Sequence, residues 1–563
     1  MKKNKIKLLS ATLALCLITT LISGCTSKGN VPLGNTSAGT EISEAELKNV
    51  EHLIIGTTAG NNTFSAVSQR DAFGRMNYNA MTQGNFVYRD KDGKVQPYFF
   101  QSFDISEDGK KIVFTIPLDA VWHDGVPVTA DDIIFTFEFM KDVRKVGSLH
   151  NLETINQLSE DTFELVFSEP DAYYWINSSC NNNSCVFAKH IWEKVEDPST
   201  YIEADAMIGC GPFKLVSYDT DAQSSYYEAV HENNYAGDIT IESITLQTYS
   251  GEDTLMMAMI NAEIDAMFNY ANPIDATIID TMHGLDHIDL GESEYSGNFQ
   301  LTYGMERTAG KDIAFRQSVR LALDYSQLGM TINGNYAKAP GAGIIPPSAK
   351  GHDTSLPILE QNIEEALKIL DTAGYIDIDG DGFREFPDGS TMEILVTPQF
   401  AVSSQELLNR IADVIMDSLK KVGIRTKIDE ASLANSEVWE ANIVNGQYDL
   451  SIGYTTSGMA AYASAFRYFL ADSKEGDESW IWGTYHNDEF SDTFFAMQKA
   501  ISEEDYIMNV KALQGMASEV VFAQALSWET AFFPYRTDKY VGWDNYPSWG
   551  VIHARTWHEL KQK

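Results

Sequence analysis

Residues 408–454 read LNRIADVIMDSLKKVGIRTKIDEASLANSEVWEANIVNGQYDLSIGY, and the order of their apolar positions decides the fold class. Leu408, Ile411, Ile415 and Leu419 recur at helical spacing, so they share one face of a helix, and Gly423 supplies its stop. Ile424–Ile428 follows as a short apolar strand, then a helical stretch at Glu437–Val444, then the strand Asp449–Tyr454. Strands joined across a helix need a crossover, which sets them parallel in one sheet. The expectation is an α/β layer with mainly parallel pairing. A second helix through Ile363, Leu367 and Leu370 closes at Gly374. Ile112–Ile116 and Phe163–Phe167 read as strands, the latter with Phe163, Leu165 and Phe167 alternating to one face.

The 563 residues exceed what one core organises, and with 44% of them hydrophobic the chain can fill more than two domains. Eighty acidic against 41 basic residues leave a formal charge of −39. Such a surface repels phosphate backbones, which excludes a nucleic-acid partner. Lys2, Lys3, Lys5 and Lys7 mark a positive N-terminus, and the apolar run from Ile6 and Leu8 to Leu21 has secretory-signal length. It ends in Leu21-Ile22-Ser23-Gly24-Cys25, which resembles the lipobox of bacterial lipoproteins. That resemblance implies loss of residues 1–24 as a signal peptide and lipidation of Cys25. The Gly/Ser/Thr-rich remainder of residues 25–45 reads as a flexible tether to the membrane. Export permits a disulfide, and Cys180–Cys185 is the easiest pair because it closes a short Asn-rich loop; with Cys210, these cysteines read as structural.

The segment Trp122-His123-Asp124-Gly125-Val126-Pro127-Val128-Thr129-Ala130-Asp131-Asp132-Ile133 places a histidine between a tryptophan and an aspartate. Its chemistry is that of a turn and a helix start: His-Asp-Gly turns the chain, Pro127 sets φ, and Thr129 caps a helix from Ala130 through its hydroxyl. Asp131 and Asp132 then face the positive end of the helix dipole. The segment resembles the signature of the family 5 extracellular solute-binding proteins, the oligopeptide- and dipeptide-binding group. Further likenesses follow in order. Gly93–Pro97 with the Ser106–Gly109 turn resembles the family's entry hairpin, and Gly209-Cys210-Gly211-Pro212-Phe213 its Gly-Thr-Gly-Pro-Tyr step with cysteine in place of threonine. Ala262-Glu263-Ile264-Asp265-Ala266 resembles its Gly-Glu-Ile-Asp segment, Phe315–Asp324 its arginine-containing helix, and Gly542-Trp543 its returning terminal strand.

The resemblance implies a two-lobed clamp of the periplasmic-binding-protein type. Residues 46–75, 206–295 and 531–563 would form the core of the first lobe, 76–205 an inserted subdomain and 296–530 the second lobe. It also implies a non-enzymatic importer component on the extracytoplasmic face. Such a protein hands a small solute, an oligopeptide in the first place, to ABC permease and ATPase subunits. An extended peptide would bond its main chain to strand edges and place its side chains in wet pockets. In peptide-binding members an aspartate after the second-lobe strand pairs with the ligand's amino group. The matching stretch here, Gly453–Tyr462, contains no acid, which keeps an oligosaccharide or another polar solute open beside the peptide.

Tyr454, Thr455, Thr456, Ser457 and Tyr462 offer hydroxyls and flat rings at a strand's carboxyl end, where α/β folds gather ligands. Arg467 could meet a carboxylate. Trp480 and Trp482, with Tyr173, Tyr174 and Trp175 from the other lobe, are candidate walls, and Asn61 stands in a segment, Thr58–Phe64, that would line the cleft. The chain has no G-x-S-x-G, H-E-x-x-H or G-x-x-x-x-G-K-[ST], so an exported hydrolase lacks its acid pair or metal centre. A receptor that signals without delivering cargo would use the same clamp. One metal site is legible. From Asp377, acids fall at loop positions 1, 3 (Asp379), 5 (Asp381), 9 (Glu385) and 12 (Asp388), with glycine at 6 and the Phe383 carbonyl at 7. That is a calcium-loop layout for a structural ion, with aspartate where a bidentate glutamate is usual; the other reading is an Asp/Gly-rich turn. No other cofactor is expected.

Overall fold

The computed structural model describes residues 47–59, 80–180, 184–198, 200–232, 234–268, 274, 276–294, 297–400, 405–456, 462–470, 485–546 and 550–563. Helix Gln405–Lys420 buries Leu408, Ile411, Ile415 and Leu419 along one face, as their spacing requires. Gly423 just beyond it has φ +76°, a conformation glycine adopts without a Cβ penalty. Helix Ile363–Ala373 ends on Gly374 in the left-handed region, and the Tyr375 N–H donates to the Leu370 carbonyl (3.0 Å).

These helices cover one face of a five-stranded sheet in the order Thr426–Ile428, Ile394–Pro398, Leu450–Thr456, Gly297–Tyr303, Ala523–Ala525. The two strands read from residues 408–454 do lie parallel in one sheet, but Ile394–Pro398 stands between them. Gly297–Tyr303 runs antiparallel to both its neighbours. A seven-stranded sheet carries the other core, in the order Ile288–Asp289, Tyr535–Arg536, Ala266–Met267, Leu53–Thr57, Ser243–Thr248, Ser224–Ala229, Phe213–Asp219. Within it only Leu53–Thr57 pairs in parallel, with strands on both sides. The expectation of mainly parallel pairing is therefore corrected. Hairpins and chain returns bring most strands back antiparallel, and parallel pairs survive only where a helix intervenes.

Between residues 102 and 167 a four-stranded antiparallel sheet buries Ile112, Phe114, Phe163, Leu165 and Phe167 against Trp122 and other large rings. The Trp122–Ile133 segment is part of this architecture. Helix Ala130–Glu138 starts where expected, with Thr129 as its N-cap in a capping box: the Thr129 side chain faces the Asp132 N–H, and the Asp132 carboxylate accepts from the Thr129 N–H (2.8 Å) and from its hydroxyl (2.9 Å). Asp132 also accepts from the Lys189 N–H (2.9 Å), which ties the helix start to a distant segment. His123 accepts from the Gly209 N–H at Nδ1 (3.3 Å) and so donates from Nε2 to the Gly211 carbonyl (3.0 Å). The glycines of that step are required by proximity, since a Cβ on Gly209 would lie 1.9 Å from the Thr82 carbonyl oxygen. Cys180, Cys185 and Cys210 are all buried. Burial pushes the Cys180 thiol up to about 11 and Cys185 up to about 12, which leaves both protonated and inert.

Burial lowers His123 from 6.5 to about 4, so the unfolded chain takes up a proton that the folded one refuses. Its contribution to stability is complete above pH 6.5 and is lost as pH falls towards 4. Urea melts across that range are expected to show a falling midpoint, and a shallower fall in His123→Gln; equal slopes would remove His123 from the account.

Candidate functional site

The chain passes between the two large sheets twice. Ser293–Glu294 leads into Gly297–Tyr303, and Ala523–Ala525 leads back to Thr530–Ala531. The two passing segments pair antiparallel, Ser293 with Ala531 and Glu294 with Thr530. They form a hinge, and beside it lie the carboxyl end of Leu450–Thr456 and the amino end of Gly297–Tyr303. There Phe299 pairs with Tyr454 and Asn298 with Thr455.

Alternation along the five-stranded sheet separates its two faces. Phe299, Leu301, Tyr303, Ile394, Val396, Leu450 and Ile452 enter the apolar core. The intervening residues Asn298, Gln300, Thr302, Thr397, Ser451 and Thr455 are polar and yet buried. The register brings them together: Thr302 and Thr397 both pair with Ser451, and Asn298 with Thr455. The Thr455 hydroxyl donates to Gln300 Oε1 (3.4 Å). Gln300 Nε2, Thr302 Oγ1 and Ser451 Oγ have no hydrogen-bond partner among the described residues. These buried polar groups form a polar floor on one face of the sheet, and leaving such a group unsatisfied costs about 1–3 kcal/mol.

The residues expected from the sequence divide. Tyr454 stands at the hinge, packed edge-on against Phe299 (ring centroids 4.8 Å) and touching the cores of both large sheets. Its N–H donates to Gln399 Oε1 (2.9 Å), and Gly297 must lack a Cβ, which would come within 2.3 Å of the Tyr454 hydroxyl oxygen. Thr455 is buried beside it, and Thr456 ends the strand opposite Gly297. Tyr462 and the partly buried Arg467 lie on the 3-10 stretch Tyr462–Phe469. Ser457, Trp480, Trp482, Asn61 and Cys25 lie outside the described residues. Tyr174 is partly buried and, with Tyr173, packs on the second-sheet cluster of Phe466, Phe469 and Phe490. Trp175 is corrected. It is 1% exposed among Phe86, Phe137 and Phe167, a core ring and not a cleft wall, because the helix Ala172–Ser178 turns it inward as it turns Tyr174 out.

The acidic loop is also rearranged. Asp377, Asp379 and Asp381 bring carboxylate oxygens within 4.8 Å of one another. Asp388 is not among them; its carboxylate accepts from the N–H (2.9 Å) and hydroxyl (2.6 Å) of Ser390 in a tight turn. The twelfth position of the loop is thus withdrawn, and Phe383 carries instead the Arg425 guanidinium over its ring (4.5 Å) while Arg425 pairs with Asp381.

Sequence reasoning passed over Glu529. It is the only charge in Val520–Phe533, a stretch of VVFAQALSWETAFF, and that isolation was the available signal. It is 3% exposed on the returning hinge segment. Burial pushes its carboxyl up to about 8, opposed only by the Phe299 backbone N–H.

The profile of "Bacterial extracellular solute-binding proteins, family 5 Middle" matches residues 94–477. The chain belongs to this family. Family 5 proteins are solute-binding components of ABC transporters, not enzymes. The chain is 23% identical over 520 residues to the oligopeptide-binding protein AppA of Bacillus subtilis, covering 89% of each. It is 21% identical over 359 residues to the dipeptide-binding protein of Escherichia coli, 60% of this chain and 63% of that one. The matched part thus spans less than two thirds of that relative's length. Among solved structures, a periplasmic oligopeptide-binding protein of an ABC transporter from Thermotoga maritima superposes with a TM-score of 0.76 at 19% identity, over 91% of this chain and 99% of that one. That likeness fixes the family 5 fold, a two-lobed α/β clamp. No described helix is long and apolar enough to cross a membrane.

Proposed function

We propose that this family 5 protein captures an oligopeptide outside the cell membrane and delivers it to ABC permease and ATPase subunits. The observation that carries the reading is the buried polar floor at the hinge end of the second sheet. Its unsatisfied amide and hydroxyl groups call for a ligand that alternates donors and acceptors, as a peptide main chain does. The dipeptide- and oligopeptide-binding relatives support the same class. Lobe closure about the paired segments Ser293–Glu294 and Thr530–Ala531 would take the ligand out of water. Tyr454, whose ring touches both cores, lies where that closure is felt.

The location proposed is the extracytoplasmic face of the cell membrane, held by lipid on Cys25. Beside the ligand, we propose a structural Ca²⁺ between Asp377, Asp379 and Asp381, whose oxygens already converge.

Three outcomes test these statements. Ligand-free protein is expected to melt higher with mixed peptides, because a ligand that binds only the folded state stabilises it. A rise with neutral oligosaccharides alone would assign the clamp to sugars. Cys25→Ala is expected to be released from membranes or left unprocessed, and membrane-bound protein of mature size would refute the anchor. EDTA is expected to lower the melting temperature of calcium-loaded protein, with recovery on adding calcium; an unchanged curve refutes the ion.

A further inference from the structure

We propose that Glu529 is the counter-charge for a ligand's ammonium group, in the first place the α-amino terminus of a peptide. This rests on the peptide-binding reading and assigns one residue within it. The stretch that follows the strand Leu450–Thr456 carries no acid, so a buried cationic end needs its partner from elsewhere. The hinge supplies one. Glu529 belongs to the segment that returns from the second sheet to the first, and its carboxylate is set against the backbone N–H of Phe299. Phe299 is the ladder partner of Tyr454 and the chain neighbour of Asn298, so the carboxylate is held at the amino end of the strand Gly297–Tyr303.

Three features separate Glu529 from an ordinary structural acid. It is 3% exposed, and its Oε1 has no hydrogen-bond partner among the described residues. No lysine, arginine or histidine among them acts on its ionisation, in contrast to buried Asp265, which is paired with Lys539 (3.5 Å) and accepts from the Ile54 N–H (2.9 Å). Its backbone is also held firmly on both sides. Trp528 exchanges hydrogen bonds with Lys338 (2.9 and 3.0 Å), while the Thr530 N–H donates to Asn333 Oδ1 and its hydroxyl to the Tyr336 carbonyl (each 3.0 Å). A buried carboxyl without a cation, fixed in place by its neighbours, is a preorganised site for one. With the site empty, burial favours the neutral acid at neutral pH; an arriving ammonium favours the carboxylate.

The experiment compares wild type with Glu529→Gln, which keeps the shape and an acceptor for the Phe299 N–H. Two tetrapeptide pools built from Gly, Ala, Ser and Leu serve as probes, one with free amino ends and one N-acetylated. Wild type is expected to bind the free-amine pool about 30-fold or more tightly than the acetylated one. Glu529→Gln is expected to bind both pools alike, with a melting temperature equal to or above wild type because an uncompensated acid has been removed. Equal binding of the pools by wild type, or a preference that survives in Glu529→Gln, overturns the role of Glu529 while peptide binding stands. A wild type that ignores both pools but is stabilised by a neutral oligosaccharide overturns the peptide reading itself, and the assignment with it.

Discussion

Seven consecutive pairs, from Gly297 with Thr456 to Tyr303 with Leu450, hold one antiparallel ladder at the centre of the second sheet, and the rest of the molecule depends on it. The ladder's register determines which side chains share a face. A slip of one residue would send Phe299, Leu301 and Tyr303 out of the apolar core and drive Asn298, Gln300 and Thr302 into it. Each large apolar side chain so displaced would forfeit about 1.5–3 kcal/mol, and each polar one would be left without partners. Register is therefore strongly specified, and the polar floor comes with it.

The same ladder lies next to the hinge. Its strand Gly297–Tyr303 follows Ser293–Glu294, one of the two paired segments that join the sheets, so the residues at Gly297–Phe299, with Tyr454–Thr456 opposite them, belong to a packed sheet beside that junction. Tyr454 illustrates the consequence. Its ring is packed against Phe299, its N–H is held by Gln399, and its hydroxyl end requires a glycine opposite. Such a side chain moves with the sheet and not independently of it, which is how a clamp keeps its floor rigid while its opening changes.

Conserving that floor has a price in buried polarity, and the chain meets it differently in different places. Asp132 and Asp429 are surrounded by donors: Thr129 and Lys189 for the first, Thr397, Ser432 and Asn442 for the second. Gln300 Nε2, Thr302 Oγ1, Ser451 Oγ and Glu529 Oε1 have no hydrogen-bond partner among the described residues. Acids of the first kind organise the fold, whereas the second group gathers along one sheet face and its hinge end.

The sequence by itself determined the α/β class, the helices that end at Gly374 and near Gly423, the helix start at Ala130, and membership of family 5. All of these rest on local signals, apolar periodicity, glycine punctuation and motif order, which a linear reading can see. It raised the expectation of ligand contacts at Tyr454, Thr455, Thr456, Ser457 and Tyr462 because strand ends gather ligands. It misjudged Trp175, since adjacent aromatics look alike in sequence until the helix turns one inward. It counted Asp388 into a loop that the Ser390 turn withdraws it from. Only the tertiary structure decided that Ile394–Pro398 separates the two predicted strands, that most pairing is antiparallel, and that Glu529 approaches Phe299 from 230 positions away in the chain. Those facts depend on pairing between distant segments, and pairing partners are chosen by the packing of the whole core, which no local pattern encodes.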